Sequence, residues 1–474
     1  MTGPIVDPAS FRDPAGRVYR AGDRILRTVG REVADDFEEV RASGLFDDLI
    51  ERDWLIASKT ADPAQHQPFL DALGDGVHAV IEHPRLPFIS YPYEWSFSQL
   101  KAAALLHLDI HLEALDRGVT LCDASAYNVQ FLGAQPLFID HLSFRPYRSG
   151  QFWVGYRQFC ELFLNPLLLH GLCGVPHNAW CRGRLTGIPS AELGRLIPLR
   201  RRLSRRVLTH VVLHAALSRR VHKPDTELAL DAKQAGLPKP RLLAMLAGLR
   251  SWIDGLSPRG GIPSYWDAYN RFKTYSDAET AAKNDFVQRF AATVRPGLLW
   301  DLGCNTGDFA LTALSAGADY VVGWDNDLGA LEIAYARSRD AGVRFTPLYG
   351  DACDPSPAQG WAERERPGWR ARGSADAVLA LALIHHLAIT NNVPLEAIAS
   401  WLVDLAPCGV VEFVAKADSQ VQNMLRLRDD KFSDYKLESF MRLLGARARI
   451  VDRLSLGPGH RELIWYDARE KSSS

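Results

Sequence analysis

No charge of one sign dominates this chain of 474 residues: 55 Lys and Arg face 56 Asp and Glu, a formal net charge of -1. That balance excludes a global field of the kind that marks dedicated nucleic-acid or membrane-surface proteins, so any such preference has to be local. Also missing is an apolar run long enough to span a bilayer. FCELFLNPLLLHGLCGV and ADAVLALALIHHLAI are short, are interrupted by Glu161, Asn165, His385 and His386, and read as buried elements. The opening MTGPIVDPASFRDPAGR has no basic segment followed by an apolar stretch, so neither a secretory signal nor a transit peptide is expected, and the expected location is cytoplasmic. Seven cysteines (Cys122, Cys160, Cys173, Cys181, Cys304, Cys353, Cys408) make no C-x-x-C pair. In a chain large enough to need no staples they read as reduced thiols, and no metal site is expected. Internal repeats are absent, as is any low-complexity tract beyond the final EKSSS.

What is present suits a globular protein of two or more domains, with 47% hydrophobic and 23% charged residues. Gly, Pro and Ser concentrate in GLSPRGGIPSY, residues 255–265, which sets expected domains at 1–255 and 256–474. Downstream, strand and helix signals alternate, as in a parallel sheet covered on both faces. Strands are expected at 297–303, 320–325, 343–351, 376–383, 409–416, 448–454 and 461–468, with helices in DFALTALSA, LGALEIAYARSRD, PLEAIASWLVDL and KLESFMRLLG. The last two strands, joined through the turn residues Gly457, Pro458 and Gly459, should form an antiparallel hairpin because the connection is too short for a parallel crossover. Upstream, 17–57 suggests a small hairpin with apolar segments, 96–117 a long helix, and 152–256 a mainly helical region.

The first downstream strand, LLWDLG, runs into Gly303-Cys304-Asn305-Thr306-Gly307 and then into a helix, the order a nucleotide-type cofactor site requires. Glycines at 303 and 307 allow a sharp turn and close approach of a ligand, and Asn305 is the residue type that best shares glycine's positive φ. Asp325 closes the next strand about 20 residues on, where a carboxylate can accept both ribose hydroxyls. Asp351 closes the third strand, where an adenine amino group needs an acceptor. For Asp301 and Asp351 alone, strand-end capping or turn formation is the competing reading.

With these residues in place, the segment from about Tyr265 to the end resembles the class I S-adenosylmethionine-dependent methyltransferases: Asp301-Leu-Gly303-Cys-Asn-Thr-Gly307, V-V-G-W-Asp325, G-Asp351-A, and a final antiparallel strand pair. The resemblance implies a Rossmann-like, seven-stranded α/β domain. It implies cofactor contacts from Asp301, Gly303, Cys304, Asn305, Gly307, Asp325, Asn326, Asp351, Ala352 and Leu381, with Asp301, Gly303 and Gly307 flanking the methionine part. No third glycine follows in dehydrogenase register, which disfavours NAD. His385 and His386 follow the fourth strand and are candidates for a general base toward a hydroxyl acceptor, with packing or substrate positioning as the competing role. Glu412 and Lys416 are lesser candidates. Enzymes that methylate nucleobase amines typically carry Asn/Asp-Pro-Pro-aromatic after the fourth strand. Ala382-Leu383-Ile384-His385 stands there instead, which favours a small-molecule or saccharide acceptor over nucleic acid. Tyr265, Trp266, Tyr269 and Tyr275 could cover the cofactor or pack a helix.

In the upstream half, LCDASAYNVQFLGAQPLFIDHLSF spaces Asp123 and Asn128 at the kinase catalytic-loop interval and ends an apolar strand on Asp140. One carboxylate to orient a hydroxyl, with an amide and a second carboxylate to hold magnesium, is what phosphoryl transfer needs. The segment resembles a divergent protein-kinase or aminoglycoside-phosphotransferase core within an α+β domain, which implies Mg-ATP. It departs from that family at Leu121, where histidine is usual, and at His141-Leu142, where Phe-Gly is usual. A phosphate loop is not evident; Gly16 and Gly22 fit a divergent first hairpin, and Lys59 is a candidate nucleotide lysine. An Asx turn at Asp123 and a strand end at Asp140 in an accessory domain is the alternative. Arg200, Arg201, Arg202, Arg205 and Arg206 form either a solvated helix face or a phosphate contact. Across the chain, PYEWSFSQLKAAALLHLDIHL and FWVGYRQFCELFLNPLLL resemble methyltransferase-like proteins of host-specific nodulation. Three functions follow: a methyltransferase acting on a small molecule or saccharide, a bifunctional kinase and methyltransferase, or a non-catalytic S-adenosylmethionine-binding regulator or scaffold.

Overall fold

A computed structural model of the chain describes residues 5–62, 76–213, 236–262, 275–372, 375–426, 430–457 and 460–469. Two compact units emerge: Met1–Phe131, Pro136–Ile262 and Ala358–Arg366 form the first, and Leu132–Gln135, Pro263–Pro357 and Pro367–Ser474 the second.

The C-terminal unit is built on seven strands: β1 (Leu299–Leu302), β2 (Val321–Asp325), β3 (Phe345–Tyr349), β4 (Ala377–Ala380), β5 (Cys408–Val414), β6 (Arg449–Leu456) and β7 (Arg461–Asp467). Their spatial order is β3-β2-β1-β4-β5-β7-β6. The first five are parallel; β7 runs antiparallel to both β5 and β6, as the short β6–β7 connection demands. Strands β1, β2, β4 and β5 are buried at every position, the pattern of a parallel sheet covered on both faces. Strand β4 stops short of the expected 383 because Ala382 takes φ 53°, which no strand accommodates.

Among the described residues the α-helices of this unit are α1 (Asp277–Val294), α2 (Asp308–Ser315), α3 (Leu328–Ala341), α4 (Leu395–Leu405), α5 (Ser419–Leu425) and α6 (Leu437–Gly445). Helix α1 begins with a capping box in which Ser276 and Glu279 each satisfy the other's backbone N–H. Phe286, Val287, Phe290 and Ala291 on α1 pack into a core shared with Leu299, Val321, Phe345, Leu379 and Val410.

The N-terminal unit opens with a five-stranded antiparallel sheet in the order Ile5–Val6, Val18–Ala21, Arg24–Gly30, Val77–His83, Lys59–Thr60. Only one hairpin of this sheet was legible in the sequence, since both edge strands are two residues long and the central pairing is non-local. Gly22 occupies that hairpin's turn at φ 62°. Gly16 packs against strand Arg24–Gly30 so tightly that a Cβ would lie 1.9 Å from the Thr28 carbonyl oxygen. The expected long helix is Phe97–Asp116, capped by Ser96 and Gln99. It is followed by two short ribbons, Val119–Leu121 with Phe144–Pro146 and Val129–Leu132 with Gln135–Phe138. Helical segments then dominate the described residues from Tyr156 to Asp254.

Candidate functional site

The turn after β1 is fixed by backbone bonds from Gly303 and Cys304 N–H to the Trp324 carbonyl on β2. Gly303, Asn305 and Gly307 take φ of 76°, 49° and 84°. Gly307 is doubly constrained, because a Cβ there would stand 2.5 Å from the Phe345 ring.

Beyond this turn, at the carboxyl ends of β1 to β4, lies a cavity of about 1070 Å³. Between β1 and β4 the strand order reverses direction, the place where open α/β sheets bind ligands. Gly303, Cys304, Asn305, Asp325, Asn326, Asp351, Ala352 and Leu381 all line it, as does His386. Asp301 and Gly307 stand outside the lining. Among the residues not singled out from sequence, Lys283, Arg337, Trp369 and Gln420 also line the cavity. Tyr275 joins them; Tyr265, Trp266 and Tyr269 fall outside the described residues.

The acidic groups are set apart by burial. Asp325 accepts the Asn305 N–H and the Asp327 N–H at 2.8 Å each, yet its burial pushes its pKa up to about 6. Asp301 is deeper: its Oδ2 has no hydrogen-bond partner among the described residues, and burial, with the charge of Asp325, pushes it up to about 7. Asp351 accepts the Cys353 N–H at 2.8 Å, an Asx-type turn that leaves its second oxygen outside that bond. Beside it, a Cβ on Gly350 would strike the Trp369 ring, which packs on Trp324 with centroids 4.1 Å apart.

The histidine pair is split. His386 reaches the cavity wall, whereas His385 is fully buried with its ring 4.4 Å from that of His386. Burial holds both below the usual histidine range. Glu412 does not reach the cavity; it is buried, accepting Lys283 Nζ at 2.6 Å and the Tyr275 hydroxyl at 2.7 Å. Arg461 joins this cluster through Tyr275 and Asp418. Lys416 is bound to Asp430. Lys283 sits on α1, a helix whose one clear sequence signal is the Ser276-x-x-Glu279 capping box.

In the N-terminal unit, Asp123, Asn128 and Asp140 come together. Asn128 Nδ2 lies 3.3 Å from Asp140 Oδ2, and burial, with the charge of Asp140, raises the Asp123 carboxyl. Arg27, on the central strand Arg24–Gly30, binds Asp140 at 2.6 Å and Asp13 at 2.7 Å. Lys59 instead pairs with Glu82 at the sheet edge. His141 is buried against His83 and Phe46.

The strand order, the glycine turn and the cavity at the reversal point define a class I S-adenosylmethionine-dependent methyltransferase fold for the C-terminal unit. No protein-family model matches the sequence. Over 462 residues the chain is 45% identical to "Nodulation protein NoeA" of Rhizobium meliloti (strain 1021), covering 97% of this chain and 96% of that protein. The chain belongs to the NoeA family of nodulation proteins.

Solved structures with similarity include the N-methyltransferase NodS from Bradyrhizobium japonicum WM9 (10% identity, TM-score 0.31, 40% of this chain and 97% of that one). Another is magnesium protoporphyrin IX methyltransferase from Synechocystis PCC 6803 with bound SAH (17%, 0.30, 43% and 93%). The 16S rRNA methyltransferase RmtF in complex with S-adenosyl-L-homocysteine is a third (18%, 0.28, 40% and 64%). Scores this low add nothing to the fold assignment, which rests on the strand order.

Proposed function

We propose that the C-terminal unit binds S-adenosylmethionine and transfers its methyl group to a small-molecule or saccharide acceptor. The observation that carries this reading is the convergence of the Gly303 turn, Asp325 and Asp351 on one cavity at the carboxyl ends of the parallel strands. The residues lining the cavity fit the cofactor: Asp325 for the ribose hydroxyls, with Asp351 and Trp369 for the adenine; Asp301 flanks the methionine end without lining the cavity. Bound there, the cofactor supplies a methyl group already activated on a sulfonium. The protein then has to hold an acceptor in line and take its proton. His386 is the residue in this reading that takes a hydroxyl proton, since it alone of the pair lines the cavity and burial favours its neutral form. His385, packed behind it, positions the ring. On 45% identity to NoeA we extend to this chain a role in nodulation.

Calorimetry with S-adenosylmethionine tests the cofactor: binding is expected in the wild type and is lost in Asp325→Ala. Failure of the wild type to bind, or unchanged binding in the variant, overturns the reading. Labelled-methyl transfer into metabolite, glycan and RNA fractions then tests the acceptor. Label in RNA overturns the acceptor class, and binding without label in any fraction favours a non-catalytic regulator.

A second reading adds phosphotransfer in the N-terminal unit, favoured by the meeting of Asp123, Asn128 and Asp140 below a five-strand antiparallel sheet. Two carboxylates and an amide suit a divalent cation carried with ATP, which would have to displace Arg27 from Asp140. Binding of Mg-ATP that disappears in Asp140→Ala supports it; no binding by the wild type removes it.

A further inference from the structure

Residues 190–213 of the N-terminal unit are held to its core by Ile197, Val207 and Val211, all buried. Between these anchors the chain turns its apolar side chains outward. Leu199 is 73% exposed and Leu203 82%, with Leu196 and Leu208 also exposed. Interleaved with them, Arg200, Arg201, Arg205 and Arg206 are exposed, and none is ion-paired with a described residue. Single exposed leucines are ordinary on a protein surface. Four in a short basic stretch need a partner that takes both kinds of side chain.

We propose that this segment docks the N-terminal unit on an anionic lipid bilayer, as a peripheral contact. At the boundary of headgroups and acyl chains, leucines leave water while arginines meet lipid phosphates, which is the side-chain division of an interfacial basic segment. A nucleic acid or a soluble polyanion would satisfy the arginines and leave the leucines in water. Spanning is not involved: among the described residues no helix is long and apolar enough to cross a membrane. Leucine insertion and a polybasic patch together supply the two weak signals that stable, reversible attachment requires.

Co-sedimentation of the full chain with vesicles tests this. Binding is expected to vesicles of mixed phosphatidylcholine and phosphatidylglycerol, with little to phosphatidylcholine alone, and to weaken as salt rises. Each arginine changed to glutamine is expected to reduce binding about fivefold, and Leu199→Ser with Leu203→Ser to reduce it at unchanged charge. Circular dichroism of both variants checks that they fold; these surface positions lie outside the core. Absence of wild-type binding to the anionic vesicles overturns the proposal. So does vesicle binding that the leucine variant retains in full, which identifies a general polyanion site. Tighter binding to RNA than to vesicles, lost in the arginine variant alone, overturns it in favour of nucleic acid.

Discussion

Lys283 Nζ lies 2.6 Å from Glu412 Oε2, and the two side chains are 4% and 0% exposed. An ion pair so deeply closed is costly to break from one side, because the surviving charge has no water to turn to. Lys283→Met is therefore expected to destabilise the C-terminal unit by about 3 kcal/mol, the low end for a broken buried pair, because Glu412 keeps Arg461 at 3.4 Å. Lys283→Met with Glu412→Gln is expected to cost much less than the two single changes summed, since no orphaned charge remains and Arg461 keeps Asp418. Urea unfolding of the four species of the double-mutant cycle measures the coupling.

Asp301 and Asp325 have folded-state values of about 7 and about 6, both raised by burial. The unfolded value for an aspartate is about 3.9, so between these limits the folded state holds more protons. Their contribution to stability is fully present below the unfolded value and is lost as pH rises through about 6 to 7. Asp301→Asn is expected to flatten the fall of the urea midpoint across that window.

Gly307→Ala places a methyl group against the Phe345 ring on a backbone at φ 84°. Strain and overpacking together predict a loss of about 2–4 kcal/mol. Gly342→Ala, also at positive φ but with open space around its Cβ, isolates the strain alone and should cost about 1 kcal/mol. Thermal unfolding of the two variants separates the contributions.

Buried histidines give the N-terminal unit the opposite pH response. Burial lowers His83 and His170 to about 4 and His107 and His177 to about 3. Their contribution is present above the unfolded value of about 6.5 and is lost as pH falls toward the folded values. His107 sits among Phe138, Trp153, Phe159 and Phe163, and its ring nitrogens have no hydrogen-bond partner among the described residues. His107→Phe is expected to fold and to shift the acid midpoint of this unit downward, read by hydrogen exchange in the helix Phe97–Asp116.

Most strands of the C-terminal sheet were legible because they are short apolar runs next to Gly, Pro or Asp; the edge strand β6, RIVDRLSL, was legible from its alternation and the turn residues after it. The turn at Gly303 was legible because glycine spacing reports directly on backbone conformation. Lys283 was not, since a lysine on a helix reads as solvent-facing until the partner, Glu412 on β5, is brought to it by the fold. Trp369 was hidden for a similar reason: it opens a single 3-10 turn, Trp369–Ala371, and only the close approach of Gly350 shows what it covers. Arg27 was masked by the alternation of its strand, in which a charged residue among apolar ones suggests a solvent face. The separation of His386 from His385 depended on side-chain direction after β4, where the left-handed Ala382 redirects the chain.

Strand β7, the last of the sheet in sequence, is inserted between β5 and β6 and buried along its whole length. During synthesis, β5 therefore emerges from the ribosome with one backbone edge open and waits for Arg461–Asp467 to close it. Until then that edge is a template for pairing with a neighbouring nascent chain. The sheet thus completes only after translation has passed its final strand, and a chain stopped before Arg461 leaves both β5 and β6 without their partner.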